Sequence, residues 1–124
     1  MAVALGVAVG GALGALSRYG ADGWVELHVE SSFPWSTFVI NISGCFAVGF
    51  IIAALVDRHH APQWLRVGLV MGFCGGFTTF STFAQETLDL VEARALGIAT
   101  ANVVASVVLG IFAVLAGTRV GDLV

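Results

Sequence analysis

Four apolar stretches, each close to the ~20 residues a helix needs to cross a bilayer, restrict this chain of 124 residues more than any other feature. The first covers about residues 2–21 and carries one charge, Arg18, near its end. The second, 33–56, and the fourth, 95–118, carry none. The third spans 64–88 and is uncharged between Val67 and Gln85. Hydrocarbon offers a backbone no hydrogen-bond partners, so runs of this length fold as helices that satisfy themselves. The polar connections 22–32, 57–63 and 89–94 are short, and Pro34 and Pro62 stand before spans, where a missing amide proton does no harm. Only 10% of the residues are charged and 58% are hydrophobic, against roughly a quarter charged in a soluble domain. The expected fold is therefore an all-α membrane protein, one four-helix transmembrane domain over residues 1–124, with no extramembrane domain. The first stretch lacks a basic start and reads as a retained helix rather than a signal peptide.

Charge excludes further classes. There is no lysine, the arginines number five, and the net charge of −3 is spread thinly, so no nucleic-acid footprint exists. No zinc-protease motif, serine triad or carboxylate pair is present, which argues against an enzyme. Cys45 and Cys74 lie within apolar segments and read as inert core residues. His59 and His60 read as solvated loop residues.

Orientation follows arginine placement. Arg58, Arg66 and Arg119 would share one side, and Arg18 and Arg94 the other. So even a split gives either one orientation on a slim margin or both, and copies in both orientations can form an antiparallel dimer. Gly6, Gly10 and Gly14 on the first span, and Gly68, Gly72 and Gly76 on the third, form small-residue ridges that let helices approach closely. They serve packing within one subunit or across a subunit boundary.

Several polar groups sit where hydrocarbon penalises them. Between Gly72 and Phe83 two adjacent glycines precede four hydroxyls interleaved with phenylalanines. An interruption at Gly75 and Gly76 would free carbonyls at membrane depth, tolerated only in a protein-lined cavity and suited to a small cation. Thr79, Thr82 and Glu86 fall on one helical stripe, with Phe80 and Phe83 beside it. Ring edges are partially positive and can line an anion's path without trapping it. Asn41, deep in the second span, either glues two helices or binds a solute. Asn102 and Ser106 share a face of the fourth. Arg18 either snorkels to headgroups or faces an aqueous vestibule.

Three motifs together resemble the Fluc/CrcB fluoride channels: Gly10-Gly11-Ala12-Leu13-Gly14 with Arg18-Tyr19, Pro34-Trp35-Ser36-Thr37 with Asn41, Gly44 and Gly49, and Gly72 to Phe83. The resemblance extends over all four spans and is weakest in the fourth, where Ser106 is the main anchor. Ser36 stands where glycine is common in that family. The resemblance implies a fluoride-selective channel releasing cytoplasmic fluoride across a bacterial-type inner (cell) membrane. It also implies a dual-topology antiparallel homodimer with two pores and a structural Na⁺ at its centre. Carried onto this chain, it makes Asn41 a donor to the anion and turns the ring edges of Phe80 and Phe83 toward fluoride. Ser81 and Thr82 join a polar track, with Ser106 and Glu86 as weaker members and Arg18 at the vestibule. The backbone carbonyls of Gly75 and Thr78 face the sodium. Two rivals remain: a small proton-coupled exporter of the multidrug type, which normally needs a carboxylate in the first span where none precedes Asp22, and a non-transporting scaffold.

Overall fold

The computed structural model describes residues 1–58 and 60–124, so the expected placement of His59 lies outside the described residues. Among the described residues the chain is helical throughout, with no strand, and four helical runs are long and apolar enough to cross a membrane. Helix α1 (Ala2–His28) is followed by α2 (Trp35–Ile51), which continues through a π-helical stretch, Ile52–Arg58. The third span is segmented into α3 (Gln63–Val67), a second π-helical stretch (Gly68–Cys74), α4 (Gly75–Phe77) and α5 (Phe80–Glu92). Helix α6 (Leu96–Gly121) is the fourth span.

The connection expected at 22–32 is mostly helix, because α1 continues through Asp22 to His28. At 1.5 Å per residue its 27 residues reach about 40 Å, beyond the ~30 Å hydrocarbon core. Its last two turns stay helical outside the apolar layer because Val25 is buried and the Ser36 hydroxyl holds Asp22.

The glycine ridges meet each other inside one subunit. An added Cβ at Gly10 would lie 2.1 Å from the carbonyl oxygen of Gly68, and one at Gly14 2.2 Å from that of Phe73. On the other ridge, Gly72 faces Val7 and Gly11, and Gly76 faces Gly11 and Ala15. Residues four apart drift one way around an α-helix and the opposite way around the wider π-helix. The π-helical Gly68–Cys74 followed by α4 therefore keeps Gly68, Gly72 and Gly76 in line toward α1. A second seam joins α2 to α6, where a Cβ at Gly49 would sit 2.2 Å from the Val114 carbonyl oxygen and one at Gly117 2.1 Å from that of Phe46.

With backbones this close, the chain buries few large apolar side chains. Among the described residues Ile40, Cys74 and the polar Asn102 are the largest fully enclosed side chains, and Thr37 and Thr79 are buried too. Leu5, Val9, Leu13, Val104, Ile111 and Phe112 point outward. Such an arrangement suits a lipid solvent, in which outward apolar groups cost nothing and packing falls to small residues.

The turn between α5 and α6 shows local strain. The amide of Arg94 donates to Val91 and that of Ala95 to Leu90, which closes a Schellman motif with Arg94 in the left-handed position at φ 59°. A side chain there costs about 1–2 kcal/mol. Arg94→Gly is expected to stabilise the chain by about 0.5–1 kcal/mol, seen as a higher unfolding midpoint in detergent; a lower midpoint would show that the arginine charge outweighs the strain.

Candidate functional site

The site begins where the third span stops being helical. The Thr78 amide and hydroxyl both donate to the Cys74 carbonyl, each at 2.9 Å, closing α4. Thr78 (φ −82°, ψ 158°) and Thr79 (φ −147°, ψ 117°) then take extended backbone before α5 starts. The span bends by 22°. The interruption is not at the glycine pair: Gly75 and Gly76 have helical backbone within α4. Glycine lowers the cost of leaving a helix, but competing partners decide where the chain leaves it, and these lie at Thr79.

One partner is Asn41 of α2. Its Oδ1 accepts from the Thr79 amide at 2.8 Å, and its Nδ2 donates to the Thr79 carbonyl at 2.9 Å. A side-chain amide thus stands in for the two backbone groups that a continuous helix would supply. The other partner is local. Thr79 is the N-cap of α5, its hydroxyl accepting from the Thr82 amide at 3.3 Å and donating to the Thr82 hydroxyl at 3.0 Å. The Ser81 hydroxyl lies 3.4 Å from the same oxygen. The α5 N-terminus, the positive end of its dipole, is thereby set at membrane depth among hydroxyls.

Two clefts flank this junction. One of about 370 Å³ is lined by Arg18, Tyr19, Asp22, Thr37, Thr79, Ser81 and Thr82. The other, of about 270 Å³, is lined by Asn41, Gly44, Cys45, Thr78, Thr79 and Phe80. Arg18 is thus brought together with Ser81 and Thr82. Phe80 is 79% exposed on the single chain, and its ring centre lies 5.7 Å from that of the half-buried Phe83 at a tilt of 42°.

Glu86 and Ser106 belong to neighbouring clusters. Glu86 Oε1 accepts from the Thr37 hydroxyl at 2.8 Å, while its Oε2 is shielded and has no hydrogen-bond partner among the described residues. Ser106 donates to Asn102 Oδ1 at 3.4 Å, and Asn102 Nδ2 donates to the Thr87 hydroxyl at 3.0 Å, tying α6 to α5. At 1% exposure, Asn102 is the more enclosed of the pair.

Thr37, Asn102 and Asp22 were not assigned roles by sequence, whereas Thr79 falls on the polar stripe with Thr82 and Glu86. Thr37 lies four residues before Asn41, a spacing that puts both on one helical face, and that signal was available. Asp22, which accepts from the Ser36 hydroxyl, gave no signal because 22–32 reads as a connection. Gly75 faces open space, with nothing within 4 Å of an added Cβ, and Thr78 is half-buried with its methyl against Gly44. Among the described residues no group of three or more His, Cys, Asp and Glu side chains converges on a metal position.

In comparisons with known proteins, residues 5–118 match the family described as CrcB-like protein, Camphor Resistance (CrcB). The chain is similar to the fluoride-specific ion channel FluC of Acidobacterium capsulatum, 43% identical over 120 residues that cover 95% of this chain and 94% of the relative. It is 48% identical over 107 residues to that of Geotalea uraniireducens, covering 86% of each chain. It is 41% identical over 115 residues to that of Azotobacter vinelandii, covering 93% of each.

Proposed function

Because this chain belongs to the CrcB family, we propose that it is a fluoride-selective ion channel through which fluoride leaves the cytoplasm down its electrochemical gradient. The observation that carries this reading is the Asn41–Thr79 junction, an uncharged cluster of amide and hydroxyl groups between two clefts at the restart of a helix. Fluoride is small and strongly hydrated, so its path needs dense donors. A conducting site must also release the ion, which favours neutral donors over a row of cations.

The roles follow from the bonds already made. An amide nitrogen carries two protons, and Asn41 uses one on Thr79, leaving the other for the anion. Arg18 draws anions into the larger cleft, and Ser81 and Thr82 form the track leading from it. Phe80 and Phe83 offer ring edges. Glu86 and Ser106 act as outlying members of the same path.

The functional unit is an antiparallel homodimer with two pores in the cell membrane. A ring as exposed as that of Phe80 lines a path only if a second wall covers it, and the near-even arginine split suits copies in both orientations. A structural Na⁺ fits between the copies. In a continuous helix the Gly75 carbonyl would accept from the Thr79 amide and the Thr78 carbonyl from the Thr82 amide. Those amides go instead to Asn41 and to the Thr79 hydroxyl, so both oxygens lose their helical donors. Two carbonyls from each copy would hold the cation, whose charge would fix the two interrupted spans against each other.

Efflux from proteoliposomes, followed with a fluoride electrode and with chloride as the comparison ion, tests the reading; equal release of both ions would overturn it. In the same assay Phe80→Ile is expected to slow fluoride about tenfold, since ring-edge contacts are worth up to ~1.5 kcal/mol. Unchanged efflux would remove Phe80 from the path. The unpartnered Oε2 of Glu86 favours one competing reading, a proton-coupled exporter. Fluoride release that follows an imposed pH gradient rather than the fluoride gradient would select it.

A further inference from the structure

The larger cleft beside the Asn41–Thr79 junction carries opposite charges at its mouth. Arg18 and Asp22 both line it, and each is half-buried. They stand four residues apart on α1, a spacing that makes side chains neighbours on one helical face and favours an ion pair. Among the described residues no such pair forms. The Asp22 carboxylate accepts instead from the Ser36 hydroxyl of α2. Ser36 lies behind the lining in the first turn of α2 and is 9% exposed, so the bond ties Asp22 to a fixed, buried donor. The next residue, Thr37, gives its own hydroxyl proton to Glu86. Two consecutive residues of α2 therefore each hold a carboxylate from another span.

A carboxylate fixed beside an anion's path repels that anion, so its place there needs a reason. The reason lies in Arg18. A guanidinium in a half-buried cleft attracts an anion more strongly than one in bulk water, because the attraction grows as the dielectric falls. An ion held too tightly does not leave. A negative charge on the same face weakens that hold without abolishing it. Resting on the channel reading above, we infer that Asp22 sets how tightly the mouth holds fluoride, and that Ser36 is the positioning residue that keeps Asp22 from closing on Arg18. Tethered, the carboxylate tempers the guanidinium but leaves its protons to the entering ion. Released, it pairs with Arg18 and takes those protons itself.

Initial efflux from proteoliposomes of the full chain, measured over a series of internal fluoride concentrations at constant ionic strength, tests this. Asp22→Asn keeps an oxygen to accept from Ser36 and removes only the charge. It is expected to lower the half-saturating fluoride concentration about tenfold, the scale of one charge acting across a partly solvated cleft. The maximal rate should fall with it, since a tighter ion leaves later. Ser36→Ala keeps both charges and frees the carboxylate, and should move the half-saturating concentration the other way, upward by about twofold or more. Ser36→Gly serves the same purpose should the first variant fail to fold. In an Arg18→Gln background, Ser36→Ala should leave the half-saturating concentration unmoved, because no guanidinium remains to pair. A bond that only staples α1 to α2 would instead lower the maximal rate in every variant and shift no half-saturating concentration. That pattern would overturn the inference, as would an unchanged or raised half-saturating concentration in Asp22→Asn, or a rise from Ser36→Ala that persists without Arg18. A parent chain that releases chloride as fast as fluoride would overturn the channel reading and this inference with it, whereas a fluoride-selective parent with unshifted variants overturns this inference alone.

Discussion

Exchanging Asn41 for aspartate is expected to lower fluoride efflux by about two orders of magnitude while leaving the chain folded. The carboxylate keeps the acceptor that takes the Thr79 amide at 2.8 Å but loses the donor that reaches the Thr79 carbonyl at 2.9 Å. An anionic oxygen then faces a carbonyl oxygen, and the last free amide proton offered to the permeating ion disappears. An unmatched charge at such depth is worth about 3 kcal/mol or more, and each ~1.4 kcal/mol added to a barrier slows passage tenfold. Asn41→Leu is the contrasting variant, in which folding and transport fail together. It leaves both Thr79 backbone groups unpaired at about 1–3 kcal/mol each and so should lower stability as well as efflux. The measurements are electrode-detected efflux from liposomes and the elution profile and unfolding midpoint in detergent. Efflux from Asn41→Asp equal to that of the parent chain would remove Asn41 from the path.

The second large effect belongs to the seam between α1 and the third span. Gly10→Leu is expected to yield no monodisperse protein. Even the first carbon of the new side chain would lie 2.1 Å from the Gly68 carbonyl oxygen and 3.0 Å from the Phe73 amide nitrogen. Those atoms are backbone, so no rotamer change relieves the clash and the helices must separate. Overpacking a tight contact costs about 1–3 kcal/mol where side chains can shift, and the cost rises where they cannot. The same separation would carry Phe77 and the Thr78–Thr79 junction away from α1. Gly10→Ala should behave as a weaker version, with a lowered midpoint and partial efflux. Full stability of Gly10→Leu would mean that the two spans are not held this closely.

Much of the fold is legible without coordinates because a bilayer permits few solutions. Uncharged runs of spanning length must be helices, and Arg18, Asn41 and Thr82 are conspicuous because each is unusually polar for its depth. The glycine ridges are legible as ridges too. What they pack against is not: Gly10 and Gly68 have the same spacing whether they meet each other or a second copy, and their contact within one chain appears only in three dimensions.

The interruption of the third span shows the limit most sharply. Local propensity points to Gly75 and Gly76, the weakest helix formers in the segment. Yet both remain helical, and the backbone turns extended three residues later, at Thr78 and Thr79. An amide leaves a helix only when another acceptor is in reach, and the acceptor for Thr79 is Asn41, 38 positions away in the chain. Likewise, Glu86 falls on the stripe with Thr79 and Thr82, but its hydrogen bond goes to Thr37 across the bundle. The sequence by itself determined that this chain crosses a membrane four times, which residues are too polar for their depth, and which family it belongs to. The spans and the polar outliers follow from transfer energies and spacing, which are local, and the family from the resemblance of its motifs. Tertiary structure decided where the third helix yields and which polar groups satisfy one another, because hydrogen-bond partners distant in sequence are chosen only when the spans pack.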